Sequence, residues 1–454
     1  QRQMCIRDSN LLMNIAFIPI DNRPVCYTLP EQIAAVDGNI NFFMPEREWL
    51  GDLTKYAKVE KLFEWLKALP EVDAIILPLD TVAYGGLISS RRCPDSLDKI
   101  KERVERLKEI LHEKKAQVYA FSSIMRISNN NVNEEEKEYW NKWGKKIFNY
   151  SYCMDKFGTM CKNELPSDIL EDYLSTRKRN FEINKTYLQW NDVFNTLVFS
   201  KDDCAEYGFN VQEAKELEKL GGFVKTGADE IPLTLLARAV EDQLKVAPVF
   251  LEPDYKHLIS NYEDVSIENS VKGQLELAGC EVCQPDEADI LLYVNNFEKQ
   301  QGELVMKVPT STYSGMWEVP QKPYMIADVR FANGADNAFV KKLFEKGFDE
   351  KFYGYSAWNT SANSLGSLIC AAKVKYFAKK YNENAFKRLQ AVRFLDDWAY
   401  QANVRQELEK PEIKYLTDKM KHFENTVFEK LDYNSNISYS FPWNRLFEVE
   451  VELN

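Results

Sequence analysis

Two pairs of neighbouring acidic residues are the strongest candidates for catalysis. Asp202 and Asp203 end one short apolar run, Asp229 and Glu230 end the next, and a helix-like pattern follows each pair. In parallel α/β proteins, binding and catalytic groups collect where strands end and their helices begin. We therefore expect Asp202, Asp203, Asp229 and Glu230 to be the catalytic residues.

Paired carboxylates suit the hydrolysis of glycosidic bonds. One acid protonates the leaving oxygen, and a second serves as nucleophile, base or orienting group. Adjacent acids push each other's pKa apart, which leaves one proton holder and one anion near neutral pH. We expect an enzyme of the glycoside-hydrolase type that acts on a glycan or an amino sugar.

Further polar and aromatic residues near predicted strand ends could hold the substrate. Tyr84 and Trp358 could stack on a sugar face, and Asn359 and Asn363 could bind hydroxyl groups. The expected substrate-binding residues are Asp21, Arg23, Asp80, Tyr84, Arg91, Arg126, Asp328, Trp358, Asn359 and Asn363.

Two other functions suit the same residues. In one, Mg²⁺ or Mn²⁺ binds the carboxylates while Arg23, Arg91 and Arg126 clamp a phosphorylated or carboxylated small molecule. In the other, the acids and arginines form a structural ion-pair network in a non-catalytic small-molecule binding protein. The sequence has no nucleophile-elbow motif, which argues against a serine hydrolase, and no dinucleotide or Walker motif; we expect no cofactor, except Mg²⁺ or Mn²⁺ under the metal-dependent alternative, and assign no metal ligands.

Composition narrows the range of partners. The chain has 454 residues, is 45% hydrophobic and carries a formal charge of −12, which argues against a nucleic acid partner. No apolar run reaches the roughly 18–20 residues that a membrane helix needs. We expect a soluble cytoplasmic protein that binds a small-molecule or sugar substrate. Its nine cysteines lack framework spacing and are expected to be reduced thiols.

Periodic apolar residues predict amphipathic helices. The predicted helices cover residues 59–69, 100–111, 134–148, 167–187, 210–220, 233–244, 267–278 and 365–377. Asp396 and Asp397 lie in a charged, helix-like run and are predicted to face solvent.

Strand and helix patterns alternate without hairpin dipeptides, which favours a parallel, helix-covered α/β fold. Either the first part closes into a barrel, or there are two open sheets. We favour a barrel-like lobe at 13–245 with a helical insertion at 129–190, a Rossmann-like lobe at 246–380 and a helical extension at 381–454. Residues 1–12 resemble sequencing-adapter read-through at the end of a metagenomic reading frame, with Met13 as the natural start.

Several loop motifs, in this order and spacing, resemble a bacterial family known as domain of unknown function 4127. They are Pro-Ile-Asp-Asn-Arg-Pro at 19–24, Gly-Gly-Leu-Ile-Ser-Ser-Arg at 85–91, Asp-Asp at 202–203 with Tyr-Gly at 207–208, Gly-Ala-Asp-Glu at 227–230 with Leu-Thr-Leu-Leu-Ala-Arg at 233–238, Asn-Gly-Ala-Asp at 333–336 and Trp-Asn-Thr-Ser-Ala-Asn at 358–363. This chain has Asn22 where the family often has Asp. The resemblance implies no established chemistry.

Overall fold

The computed structural model describes residues 12–159, 164–190, 192–202, 204–240 and 242–454. Of the features expected from the sequence, Asp203 and nearly all of the segment at 1–12 lie outside these ranges. The described residues form a mixed α/β protein with two parallel sheets.

The first sheet has six parallel strands in the order β2-β1-β3-β4-β5-β6. Apolar residues dominate them, and every residue of the third strand is buried because helices cover both of its faces. The strands are β1 (Met13–Phe17), β2 (Ile40–Phe43), β3 (Ala74–Pro78), β4 (Gln117–Ile124), β5 (Thr196–Lys201) and β6 (Phe223–Thr226).

The second sheet has five parallel strands in the order β13-β11-β9-β7-β8, and short strand pairs lie beside it. β10 pairs with β12 in parallel, and β14 pairs with β15 antiparallel near the C-terminus. The strands are β7 (Leu244–Phe250), β8 (Cys280–Val282), β9 (Ile290–Asn295), β10 (Gly302–Glu303), β11 (Tyr324–Asp328), β12 (Phe331–Ala332), β13 (Phe352–Ser356), β14 (Ile437–Ser440) and β15 (Glu450–Leu453).

The barrel predicted for the N-terminal lobe is wrong for the part of the chain that the structure describes. A barrel requires its outermost strands to pair with each other, whereas β2 and β6 are the two edges of an open sheet. The chain leaves this sheet after six strands, and β7 begins the other sheet. In each sheet the strand order reverses beside the first strand, and ligands of open α/β sheets bind at the carboxyl ends near such a reversal.

The helices largely follow the apolar periodicity. Five predicted helices, those at 59–69, 100–111, 167–187, 210–220 and 267–278, match observed helices to within three residues at each end. The helix predicted at 134–148 begins later, and the one predicted at 233–244 ends earlier. The helices are α1 (Thr28–Ala34), α2 (Val59–Ala68), α3 (Leu79–Ala83), α4 (Ser89–Arg92), α5 (Leu97–Glu113), α6 (Trp140–Phe157), α7 (Ser167–Tyr187), α8 (Phe209–Lys219), α9 (Ile231–Ala239), α10 (Ile267–Leu277), α11 (Asn337–Lys346), α12 (Ser361–Tyr376), α13 (Glu383–Arg393) and α14 (Ile413–Leu431).

Two buried helices join the sheets. α12 packs on β11 and β13 of the second sheet and also on α9, which in turn packs on β3 and β4 of the first sheet. Residues 361–374 of α12 are all buried, and many are Ala, Ser or Gly, whose small side chains allow close approach. Leu365 and Ile369 are fully buried, and each stabilises this joint by roughly 1.5–3 kcal/mol.

Asp396 and Asp397 do not face solvent, contrary to the prediction. They lie in a π-helix, Phe394–Asn403, and are 6% and 0% exposed. Arg393 reaches Asp396 at 3.3 Å and Asp397 at 3.2 Å, and the backbone N–H of Ala357 donates to Asp397 at 2.7 Å. The paired guanidinium and the backbone donor make the burial of two acids tolerable.

The sequence predicted reduced cysteines and no membrane-spanning helix. Of the cysteines that the structure describes, six are free thiols, namely Cys26, Cys93, Cys204, Cys280, Cys283 and Cys370. Cys153 is disulfide-bonded, so the expectation of reduced thiols throughout is wrong. Over the described ranges, every helix is too short or too polar to cross a membrane.

Replacing the buried Arg393 tests whether its guanidinium stabilises the buried Asp396 and Asp397. Arg393→Met should lower the free energy of unfolding by about 3–5 kcal/mol, because it leaves two buried carboxylates without their cation. Lys61→Met is the control, since it breaks an exposed pair with Glu64 and should cost less than about 1 kcal/mol. Urea unfolding measures both. Equal losses in the two variants would contradict the account.

Candidate functional site

A cleft of about 200 Å³ lies where the carboxyl ends of both sheets meet. It is smaller than the roughly 300–1,000 Å³ typical of drug-sized ligands, so it suits a small polar group. Six of the predicted site residues line it: Arg23, Arg126, Asp202, Asp229, Asn359 and Asn363. The other lining residues are Leu87, Ile88, Glu135, Ala228, Tyr262, Asn333, Thr360 and Phe447.

Arg23 is clamped between two carboxylates at the base of this cleft. Its Nε and Nη2 donate to Asp21 at 3.0 and 2.8 Å, and its Nη1 and Nη2 donate to Asp229 at 3.0 and 2.6 Å. Burial acts to lower the pKa of Arg23, but Asp21 and Asp229 outweigh it, so the pKa is raised well above its usual value. The guanidinium stays charged and ties the loop after β1 to the loop after β6.

A second group of charges lies on the insertion side of the cleft. Arg126 donates to Glu135 at 2.8 Å and to Glu136 at 3.0 Å, while Arg91 donates to Glu136 at 2.7 Å. Arg445, from the C-terminal segment, donates to Glu135 at 2.8 Å. Burial would raise the pKa of Glu135, but Arg126, Arg91 and Arg445 outweigh it and lower the pKa well below its ordinary value.

Asp202 follows β5 and completes this side. Its carboxylate lies 3.6 Å from Arg126, and about a fifth of its side chain is exposed. Its neighbour Asp203 lies outside the described residues. Asp202 is thus a predicted catalytic residue that the structure brings into the cleft.

Three asparagines form the wall of the cleft on the side of the second sheet. Asn359 Nδ2 donates to Asn333 at 2.9 Å, and Asn363 Nδ2 donates to Asn359 at 2.8 Å. Asn333 and Asn359 have φ values of 60° and 58°, a left-handed conformation that Asn tolerates better than most residues. The backbone N–H of Asn333 also donates to the Asn359 carbonyl at 2.8 Å, so the two loops hold each other in place.

Glu230 is turned away from the cleft. Its carboxyl group accepts hydrogen bonds from Gln274 Nε2 at 2.8 Å and from the backbone N–H of Ala228 at 3.0 Å. A Cβ atom on Gly227 or Gly366 would overlap it, which explains the glycines at these positions. Burial raises the pKa of Glu230 to about 8. Its hydrogen bonds give this acid a structural role in the joint between the two sheets.

Asp80 and Tyr84 are buried in the first lobe and do not line the cleft. Asp80 accepts from Ser122 Oγ at 3.1 Å and from the backbone N–H of Ser123 at 3.2 Å. Burial raises the pKa of Asp80 to about 6. Tyr84 is 3% exposed, which leaves no face for a sugar.

Asp328 and Trp358 are buried in the second lobe. Asp328 accepts from Asn295 Nδ2 at 2.8 Å and from the Tyr355 hydroxyl at 2.9 Å, and burial raises its pKa to about 7. Trp358 contacts Phe447 edge-on, with ring centroids 6.0 Å apart. Phe447, rather than Trp358, presents an aromatic surface to the cleft.

The C-terminal segment supplies residues that the sequence analysis missed. The Trp443 ring lies 5.2 Å from the guanidinium carbon of Arg23 and 4.6 Å from that of Arg445. Its indole N–H donates to Asn22 at 2.7 Å. Glu448 accepts from Arg445 at 2.7 Å and lies 3.6 Å from Arg23. The chain turns at residues 443 and 444, which are non-glycine residues with positive φ. No sequence motif predicted this turn.

Glu135 and Glu136 were also missed as site residues. They belong to a run of three acids at the start of the helix predicted at 134–148, within the predicted insertion. In the structure they lie in the turn before α6 and face Arg91 and Arg126. The predicted insertion therefore contributes directly to the cleft, through the acids at its start.

The pH dependence of stability tests whether Glu230 holds its proton in the native state. Native Glu230 keeps its proton to about pH 8, whereas an unfolded glutamate loses it near 4.5. Native stability should therefore fall by about 1.4 kcal/mol per pH unit as pH rises through this window. Glu230→Gln removes this dependence, so its stability relative to wild type should rise between about pH 5 and pH 8.

The matched control is Glu60→Gln. A hydrogen bond from Arg106 lowers the pKa of Glu60, so any linkage of this residue lies below the window. Urea unfolding across the pH range measures all three proteins. Parallel curves for wild type and Glu230→Gln would show that Glu230 is ionised in the native state.

Comparison with known proteins places the chain in a family. No curated protein matches it. A family model spans residues 15–452, nearly the whole chain, and so includes every cleft residue described above. The chain therefore belongs to the family described as "Protein of unknown function (DUF4127)".

Proposed function

We propose that this protein is a carboxylate-based hydrolase that acts on a glycan or amino sugar by general acid–base chemistry. The observation that supports the proposal is a pair of acids in one cleft, Asp229 and Glu135, whose pKa values move in opposite directions. When the pKa values of two carboxyl groups differ in this way, one group can hold a proton and act as the acid while the other is ionised at neutral pH.

Asp229 is the proposed general acid. Burial raises its pKa, opposed by Arg23 and reinforced by Asp21. Asp21 and Asp229 share the single guanidinium of Arg23, so the three groups together carry one excess negative charge. A proton bound to one of the two carboxylates removes that excess. Asp229 can then donate that proton to the leaving oxygen of a substrate held in the cleft.

Glu135 is the proposed anion. Three guanidinium groups keep it ionised, and it lines the same cleft as Asp229. An anion there stabilises the positive charge that develops on the sugar ring in the transition state. Asp202 lies beside Arg126 and is the alternative base or nucleophile, and a role for Asp203 stays a prediction.

The remaining walls suit a sugar. The amides of Asn333, Asn359 and Asn363 can both donate and accept hydrogen bonds, as hydroxyl groups require. Phe447 and Tyr262 add ring surface at the same cleft. The Rossmann-like character predicted for the second lobe stays a prediction.

The charge balance favours an amino sugar over a neutral one. Among the described residues of the connected network around the cleft, six carboxyl groups, one of which holds the proposed proton, accompany four guanidinium groups, so negative charges exceed positive ones by one, and the exposed Glu134 adds a further acid. The carboxylates are Asp21, Glu135, Glu136, Asp202, Asp229 and Glu448, and the guanidinium groups are Arg23, Arg91, Arg126 and Arg445. A protonated amine would offset part of this excess.

A non-catalytic binding protein is the second candidate. The observation that favours it is that the four arginines of the network all pair with acids, as in a structural ion-pair network. No group of three or more His, Cys, Asp or Glu side chains within the described ranges is arranged to hold a metal. Because Asp203 is outside those ranges, Mg²⁺- or Mn²⁺-dependent chemistry stays a prediction.

Replacing Asp229 tests the catalytic proposal. Asp229→Asn keeps the shape of the side chain and removes the proton donor, so kcat on chromogenic amino-sugar glycosides should fall by about 10²–10⁴-fold. Asp80→Asn, a buried acid outside the cleft, is the control and should keep kcat within about threefold of wild type. Unchanged kcat in Asp229→Asn would contradict the proposal. Ligand binding without turnover in wild type would favour the binding protein.

A thermal-shift comparison tests the charge argument. At equal concentration, glucosamine should raise Tm more than glucose or N-acetylglucosamine, because only glucosamine carries a cation, and added salt should reduce the difference. Asp202→Asn should weaken the glucosamine response, whereas Asp254→Asn, an exposed acid that does not line the cleft, should not. Equal shifts for glucose and glucosamine would contradict the argument.

A further inference from the structure

A larger cavity, of about 680 Å³, opens at the opposite edge of the second sheet from the cleft. It lies at the amino end of β13, between the last turn of α12, the start of α13 and the end of α14. Five aromatic residues line it: Phe348, Phe352, Tyr353, Tyr381 and Phe386. Phe348 and Phe352 are stacked with ring centroids 4.3 Å apart, which makes one continuous aromatic surface.

Lys375 projects into this cavity from α12. Its Nζ lies 3.9 Å from the ring centroid of Phe386, 4.5 Å from that of Tyr353 and 5.4 Å from that of Tyr381. It donates one hydrogen bond, to the Phe352 carbonyl at 2.6 Å. An amine enclosed by rings and bonded to one carbonyl is an unusual environment for a lysine, since lysine is most often solvated or ion-paired.

The carboxylates that act on Lys375 are engaged elsewhere. Asp349 pairs with Lys351 at 3.5 Å, and Glu383 pairs with Lys387 at 3.1 Å. Within the described residues, no carboxylate forms an ion pair with Lys375. The charged groups that share the cavity with it are Asp349, Glu350, Glu383, Lys387, Lys430 and Asp432.

Lys387 provides a matched comparison in the same cavity. It pairs with Glu383 and also with Asp432, at 3.2 Å. Those partners raise the pKa of Lys387, whereas burial lowers the pKa of Lys375 to about 8. At neutral pH, Lys375 thus has much the larger fraction of neutral amine, and only the neutral amine is a nucleophile.

We propose that Lys375 and its ring-lined cavity form a second site, which binds a carbonyl compound with an aromatic or apolar body as an imine. The nitrogen lone pair attacks the carbonyl carbon, and the π electrons of the C=O bond move to oxygen. A proton passes from nitrogen to that oxygen, and the carbinolamine loses one water as the C=N bond forms. No oxidant or reductant takes part.

The rings serve both parts of such an adduct. Their faces attract a cation, so they stabilise the protonated imine once it has formed. The stacked Phe348 and Phe352 surface buries the apolar body of the ligand. This site is separate from the cleft and does not depend on the hydrolase proposal.

Reductive trapping tests the proposal on the full-length protein. Wild type is treated with benzaldehyde and sodium cyanoborohydride at about pH 7.5, and benzylated lysines are quantified by peptide mass spectrometry over time. Lys375 should be benzylated at least about tenfold faster than Lys387, because each unit of pKa difference changes the neutral fraction about tenfold. Lys375→Arg should lose the fast phase, and Lys387→Arg should keep it.

Glyceraldehyde, a polar aldehyde, separates intrinsic reactivity from recognition by the rings. The preference for Lys375 should shrink with glyceraldehyde. Benzylation of Lys375 no faster than of Lys387 would overturn the site, and equal preference with the two aldehydes would overturn its selectivity for an apolar body. Because wild type is mapped directly, neither result depends on the folding of a variant.

Discussion

The clamp on Arg23 is the interaction on which the candidate site depends. This buried guanidinium joins Asp21 in the loop after β1, Asp229 in the loop after β6 and, more loosely, Glu448 in the C-terminal segment. Trp443 lies over it. A buried charge must be paired and hydrogen-bonded to be tolerated, so the three segments are held together by the cost of leaving Arg23 uncompensated.

The sheets and the joint between them make that clamp possible. In a parallel sheet, the loops that follow the strands all lie at one edge. Because α9 packs against α12, this edge of the first sheet faces the same edge of the second sheet. The first lobe then contributes charged groups to the cleft, while the second contributes the amides of Asn333, Asn359 and Asn363. A small site with fixed charges on one wall and fixed amides on the other follows from this arrangement.

Local patterns predicted local structure well, and long-range contacts poorly. The helix at 167–187 was predicted at its observed bounds because apolar periodicity reports one buried face. Whether the strands form an open sheet or a barrel depends on which strands pair, and apolar periodicity does not encode strand pairing. The pattern of acids after strands led to Asp202 and Asp229, which line the cleft, but Glu230 follows the same pattern and faces Gln274 instead. Glu135 and Arg445 come from distant segments without strand-end signals. Asp397 resembles part of a solvated run because one of its partners, the backbone N–H of Ala357, is forty residues away in sequence.

A crystal structure of the protein soaked with glucosamine would test the central claim most directly. The expected result is density for the sugar in the cleft, with its ammonium group against Asp202 or Glu135 and its hydroxyl groups against Asn333, Asn359 or Asn363. Sugar density elsewhere on the protein, with an empty cleft at a saturating concentration, would contradict the claim that the cleft between the lobes is the functional site.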